Sequence, residues 1–155
     1  MKNNSTIMAQ LLHIVPRYDF QKAVNRYEAE KHMKGFSSWG HFVSLLYGQL
    51  SGSDSLRTIT HSLSSVNNRL YHLGLKTVKK STLSYANTKR SYRVFQDLFY
   101  SLLEKINRKA PKHAFRFKNP LYSIDSSTID LCLSLYDWAR FRKTKGGIKL
   151  HVKLN

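Results

Sequence analysis

The sequence is poor in cysteine, proline and acid, and it holds no long apolar run. A lone cysteine, Cys132, rules out a disulfide framework and leaves a structural zinc site without partners. That usage fits a reduced, cytosolic compartment. No stretch approaches the ~18 uncharged apolar residues of a membrane span. The short apolar stretch behind Met1–Ser5 is broken by Gln10 and His13, so no signal-peptide pattern is present. Only three prolines occur, and two of them, Pro111 and Pro120, bracket a change of texture. What remains is enough to fold: 155 residues that are 41% hydrophobic and 12% aromatic can build a core, which excludes disorder of the whole chain.

The scarcity of acid is the strongest of these signals. Nine Asp+Glu face 26 Lys+Arg, a net charge of +17, and the pI is about 10.2. Such a chain gathers polyanions and binds phosphate backbones. The imbalance is also uneven. No acidic residue lies between Asp54 and Asp97, a stretch that carries Arg57, Arg69, Lys76, Lys79, Lys80, Lys89, Arg90 and Arg93. Two further acid-free stretches follow Glu104 and Asp137. A merely solvated basic surface is the plain alternative; clustering favours nucleic acid over a membrane surface.

Apolar spacing predicts a helical first part, residues 1–110. Trp39, Phe42, Val43, Leu46 and Leu50 share one helix face, with Ser37 or Ser38 as cap and Gly52 past the end. Leu56, Ile59, Leu63, Val66, Leu70 and Leu73 predict one continuous amphipathic helix, opened by Asp54 and closed by Gly74. Phe95 to Ile106 forms a third. Weaker helices are expected over Thr6–Ile14 and Asp19–Met33, separated by Pro16. A short polar helix capped by Ser81 follows Gly74 and exposes hydroxyls, Asn87, Lys89 and Arg90. Helix, glycine turn and polar helix together suggest a helix-turn-helix. There Asn and Arg would read base edges and Lys would hold phosphates. An ordinary connecting helix fits the same residues.

Residues 111–120 are basic and aperiodic and read as a linker. The period then becomes two. Leu121–Asp125 is expected as a short buried strand, Ile129–Leu135 as a second and Ile148–Leu154 as a third, with Gly146-Gly147 as the turn before it. Three uncovered strands suggest the opening of a domain, residues 121–155, in a truncated chain. Asp125, at the end of the first strand, is a candidate ligand for a hard divalent cation, against a plain capping role before Ser126-Ser127-Thr128. Asp130 and Asp137 are weaker candidates. No nucleophile–base pair or phosphate-cradling glycine loop appears, and the seven histidines are scattered.

Taken in order, several stretches resemble the amino-terminal part of DDE transposases of bacterial insertion sequences, in the group numbered four. They are Gly48-Gln49-Leu50-Ser51-Gly52-Ser53-Asp54-Ser55-Leu56-Arg57, Leu70-Tyr71-His72-Leu73-Gly74-Leu75 and Ser81-Thr82-Leu83-Ser84-Tyr85-Ala86-Asn87 in the helical part. Tyr122-Ser123-Ile124-Asp125-Ser126-Ser127-Thr128-Ile129 is similar to the strand carrying that family's first catalytic aspartate. The segment from Trp138 to His151 is similar to the start of its catalytic core. The resemblance implies an α+β chain: a helical amino-terminal DNA-binding domain, then the first strands of a truncated ribonuclease-H-like α/β core. It implies a transposase fragment that binds insertion-sequence ends and, when complete, performs Mg2+-dependent DNA strand cleavage and transfer. Asp125 would be the first of an Asp-Asp-Glu triad that holds two magnesium ions. The second Asp and the Glu would lie beyond Asn155, so the fragment would bind double-stranded DNA without cutting it. The DNA-contacting set would be Arg57, Arg69, Lys76, Lys79, Lys80, Ser81, Asn87, Lys89, Arg90 and Arg93. A homo-oligomer on DNA, a cytoplasmic, nucleoid-associated location and no membrane partner complete the expectation. A non-enzymatic DNA-binding regulator competing at element ends is the alternative. A ribosome-associated RNA binder ranks below both, since no aromatic RNA-binding strand signature is visible.

Overall fold

The computed structural model describes residues 6–109, 123–131, 138–142 and 145–154. The chain divides into two compact units, 1–110 and 111–155.

Among the described residues, the first unit is helical: α1 (Ile7–Ile14), α2 (Arg17–Arg26), α3 (Ser38–Leu50), α4 (Leu56–Ser65), α5 (Asn67–Leu70), α6 (Lys80–Lys89) and α7 (Arg93–Lys109). Hydroxyl caps start three of them. Thr6, Ser37 and Ser55 accept hydrogen bonds from the backbone N–H groups of Ala9, Gly40 and Thr58. Ser55, not Asp54, therefore caps α4; Asp54 accepts from the Thr58 hydroxyl instead. α6 starts one residue ahead of Ser81, at Lys80, and has no capping side chain.

The core gathers the apolar stripes of these helices. Phe20, Val43, Leu63, Leu70 and Leu83 are almost fully buried. Phe20, Trp39 and Phe42 form a cluster with ring centroids 5.5 Å apart, and Phe95 extends it. Trp39 Nε1 donates to the carbonyl of Leu73 at 3.2 Å, and Gly74 beside it has φ +71°. That left-handed conformation suits glycine. Gly48 brings α3 close to α4: an added Cβ would lie 2.7 Å from Ile59 Cγ1.

Two predicted helices are shorter than expected. The one continuous helix over 56–73 breaks after Ser65 into α4, the four-residue α5 and a 3-10 turn at Tyr71–Leu73. Ser64 and Ser65 hydroxyls turn back onto the carbonyls of Thr60 and Ser62, and Asn67 and Asn68 follow. Back-bonded serines bend helices, and asparagine propagates them poorly. The helix expected over Asp19–Met33 ends at Arg26. Glu28 takes the left-handed conformation (φ 47°), its N–H reaches Asn25 O, and the Ala29 N–H reaches Val24 O. This is a Schellman closure with glutamate where glycine is usual.

In the second unit β1 (Ser123–Leu131) pairs antiparallel along its whole length with β3 (Lys145–Leu154), and β3 pairs with β2 (Arg140–Arg142), in the order β1-β3-β2. The first expected strand does not end at Asp125: β1 runs on through Ser126-Ser127-Thr128. These residues pair with His151, Leu150 and Lys149, so the start of the expected second strand belongs to β1. Gly146 and Gly147 lie inside β3, opposite Leu131 and Asp130, rather than in a turn. The first strand is not buried: Ile124 is 70% exposed, and Ile129, Leu150 and Val152 are also exposed. Mostly helical with a small antiparallel sheet, the chain is α+β. The linker expected at 111–120, the positions Leu121 and Leu133–Asp137, and Cys132 lie outside the described residues.

Candidate nucleic-acid interface

α4 and the start of α6 frame a cleft of about 550 Å3. It brings together three expected contacts, Arg57 from α4 and Lys79 and Lys80 at the head of α6. All three are exposed, and none has a carboxylate within ion-pair distance among the described residues. No acidic side chain lines the cleft. The uncapped first turn of α6 adds its free N–H groups to this positive end. The cleft therefore has the electrostatics of a phosphate site.

His61, Thr60, Ser64 and Thr77 also line it and were not foreseen. Arg57, His61 and Ser64 follow one another at spacings of four and three, a polar helix stripe that was legible in the sequence. The hydroxyls of Thr60 and Ser64 donate to the carbonyls of Arg57 and Thr60. Their protons are thus committed within α4.

The other expected contacts are spread around this centre. Arg69 lies on α5, Lys76 on the segment after Gly74, Ser81, Asn87 and Lys89 on α6, and Arg93 at the first residue of α7; all six are exposed. The connection from Gly74 to Lys79 is longer than the three- to four-residue turn of a helix-turn-helix.

Arg90 is a correction. It was expected on the exposed face, but it is 8% exposed. Its guanidinium donates to Ser37 O at 2.9 Å, to Phe36 O and to Met33 Sδ, and it lies over the Phe36 ring. It ties the segment before α3 to the end of α6 and is not free on the outer face. Beside it, His41 is buried, and neither ring nitrogen has a hydrogen-bond partner of normal geometry. Burial, then the charge of Arg90, lowers its pKa to about 4, against a smaller raising effect of the Asn87 side chain.

Asp125 is exposed on β1, opposite Val152, and its Oδ1 accepts the backbone N–H of Ser126 at 2.8 Å. Among the described residues no three His, Cys, Asp or Glu side chains gather to hold a metal ion. A hard cation needs several oxygen ligands. The described residues therefore do not themselves fit a magnesium centre, and Asp125 offers one carboxylate.

Among the described residues no helix is long and apolar enough to cross a membrane. Residues 3–76 match a family described as "Domain of unknown function (DUF4372)". That match spans α1 to the segment after Gly74, including Arg57, Arg69 and Lys76. The chain is also 30% identical over 79 residues to the "Probable transposase for insertion sequence element IS5377" of Geobacillus stearothermophilus. The aligned stretch is 51% of this chain and 21% of that protein. No solved structure matches. The chain is thus similar to the amino-terminal region of an insertion-sequence transposase.

Proposed function

We propose that the helical unit binds the DNA ends of an insertion sequence, as the amino-terminal part of a transposase. The cleft between α4 and α6 carries the reading: Arg57, Lys79 and Lys80 converge without a counter-charge. The similarity to a transposase supports DNA as the partner, taken here as double-stranded. Phosphates of one strand sit against these cations, and Arg69, Lys76, Ser81, Lys89 and Arg93 extend the contact along the backbone. Asn87 is the candidate base reader.

Catalysis belongs to the complete protein in this reading. Asp125 would be the first carboxylate of a DDE set on a ribonuclease-H-like core, its companions supplied by residues outside those described, and Mg2+ its cofactor. A dimer on paired ends and a cytoplasmic location go with it. The same helices acting alone would make a non-enzymatic competitor at element ends, which needs only the basic cleft.

Binding of the chain to element-end duplexes and to random duplexes of equal length tests the first step. Asn87→Ala is expected to weaken element-end binding more than random binding; equal loss on both removes its role. In the complete protein, Asp125→Asn is expected to abolish strand cleavage and leave DNA binding intact. Retained cleavage would refute the assignment.

A further inference from the structure

A second cavity, of about 490 Å3, opens between the segment Tyr27–Phe36 and α6. It shares no lining residue with the basic cleft. Its size is that of a small-ligand site. One part of its wall is aromatic, formed by Tyr27, Phe36 and Tyr85. Tyr27 is anchored, its hydroxyl donating to Asp97. Tyr85 is 62% exposed, so a ring face is open to a ligand.

The rest of the wall is cationic. Lys31 is neutralised by Glu28 at 2.7 Å, and Glu28 is the one acidic residue of the lining. Lys34, Lys89 and Arg90 have no carboxylate within ion-pair distance among the described residues. Arg90 is the telling one. A guanidinium this deeply buried normally meets a carboxylate, since an unpaired buried charge is costly. Its partners here are two carbonyls and a thioether. Glu30 lies near enough to be felt, but its carboxylate accepts the backbone N–H of Ser38 at 2.5 Å. The rim is held by two non-glycine residues in the left-handed conformation, Glu28 and His32.

Excess cation beside the open ring of Tyr85 calls for a flat, anionic ligand. We propose that this cavity binds one nucleotide, its base against Tyr85 and its phosphate toward Lys34 and Lys89, with the buried Arg90 adding positive charge from behind the wall. The shared chemistry is a base carrying a phosphate, whether on a free nucleoside monophosphate or at an unpaired position of a DNA strand. The site shares no lining residue with the duplex-binding cleft, and Lys89, which also extends the duplex contact, is the one cation common to the two readings.

Titration calorimetry on the intact chain tests this with four probes: deoxyadenosine monophosphate, deoxyadenosine, inorganic phosphate and a single-stranded deoxyadenosine pentanucleotide. The monophosphate or the pentanucleotide is expected to bind saturably, about tenfold or more tighter than deoxyadenosine or phosphate alone. A pentanucleotide tighter than the monophosphate assigns the site to a strand; equal affinity assigns it to the free nucleotide. Tyr85→Ala should weaken binding about tenfold, the scale of one lost base stack. Lys34→Glu should weaken it by a similar factor. Both side chains are exposed, so melting temperatures should match the parent. No saturable binding of either nucleotide probe, or binding indifferent to both substitutions, overturns the proposal. Duplex affinity, read separately by salt titration, reports on the other cleft, so the two readings fail independently.

Discussion

Replacing Arg57, Lys79 and Lys80 together by glutamine tests the basic cleft most directly. The three side chains surround one cleft of about 550 Å3 with no acid in its lining. Each is exposed and lacks a carboxylate partner, so removing it breaks no ion pair in the free protein. A cation that neutralises one DNA phosphate releases counterions and adds about 0.9 to the slope of log affinity against log salt. Three such contacts account for about 2.7 of that slope. Between ~50 and ~200 mM salt this amounts to about 40-fold in affinity. The triple variant should therefore bind more weakly at low salt and lose about 40-fold less affinity on going to the higher salt. Fluorescence anisotropy of a labelled duplex at four or five salt concentrations measures both quantities. Its melting temperature should stay close to the parent, because exposed substitutions away from special features shift stability by roughly 0.5 kcal/mol or less. A variant that binds with the parent's slope would show that phosphates do not occupy this cleft.

Two predictions concern the scaffold. His41 takes up its proton near pH 6.5 when unfolded but only at about 4 when buried beside Arg90. Between those values the unfolded chain binds the extra proton, so stability falls as pH drops from about 6.5 toward 4 and levels off below, by about 3 kcal/mol in all. Urea denaturation across that range should show a steeper fall for the parent than for His41→Gln; equal slopes would sink the argument. At the α3–α4 contact, Gly48→Val forces atoms onto Ile59 and should cost about 1–3 kcal/mol. Adding Ile59→Ala should make the clash milder, so the two substitutions should be less than additive in urea midpoints. A Gly48→Val protein as stable as the parent would show that the close approach is not tight.

Local signals were the legible ones. Ser37 caps α3, Gly52 and Gly74 end their segments at positive φ, and most of the α3 and α7 stripes pack inward while Leu50, Phe99 and Ile106 stay exposed; caps and stops need only neighbours within a turn. The break after Ser65 was hidden because Val66, Leu70 and Leu73 keep the apolar spacing through it and still pack on the core. The end of α2 was hidden because glutamate holds the place where glycine announces a helix stop, and the geometry is supported from afar. Asp97 on α7 takes both Arg26 and the Tyr27 hydroxyl. In the sheet, the polar Ser126-Ser127-Thr128 interrupts the apolar pattern that ended the expected first strand at Asp125, yet these residues pair along β3 with His151, Leu150 and Lys149.

The candidate site divides in the same way. Charge is additive along a chain, so the acid-free stretch from Asp54 to Asp97 and its suitability for a polyanion were plain from composition. Exposure is not additive. Arg90 and Lys89 are neighbours in sequence, yet one faces solvent while the other is drawn under Phe36 by carbonyls more than fifty residues away. The meeting of Arg57 with Lys79 and Lys80 likewise depends on α4 and α6 packing together, a contact across some twenty residues that no local pattern encodes. The sequence by itself determined that this chain is a basic, mostly helical protein suited to a polyanion. Tertiary packing decided which cations stand together around a cleft and which one is buried, since burial depends on which distant segment supplies hydrogen-bond partners.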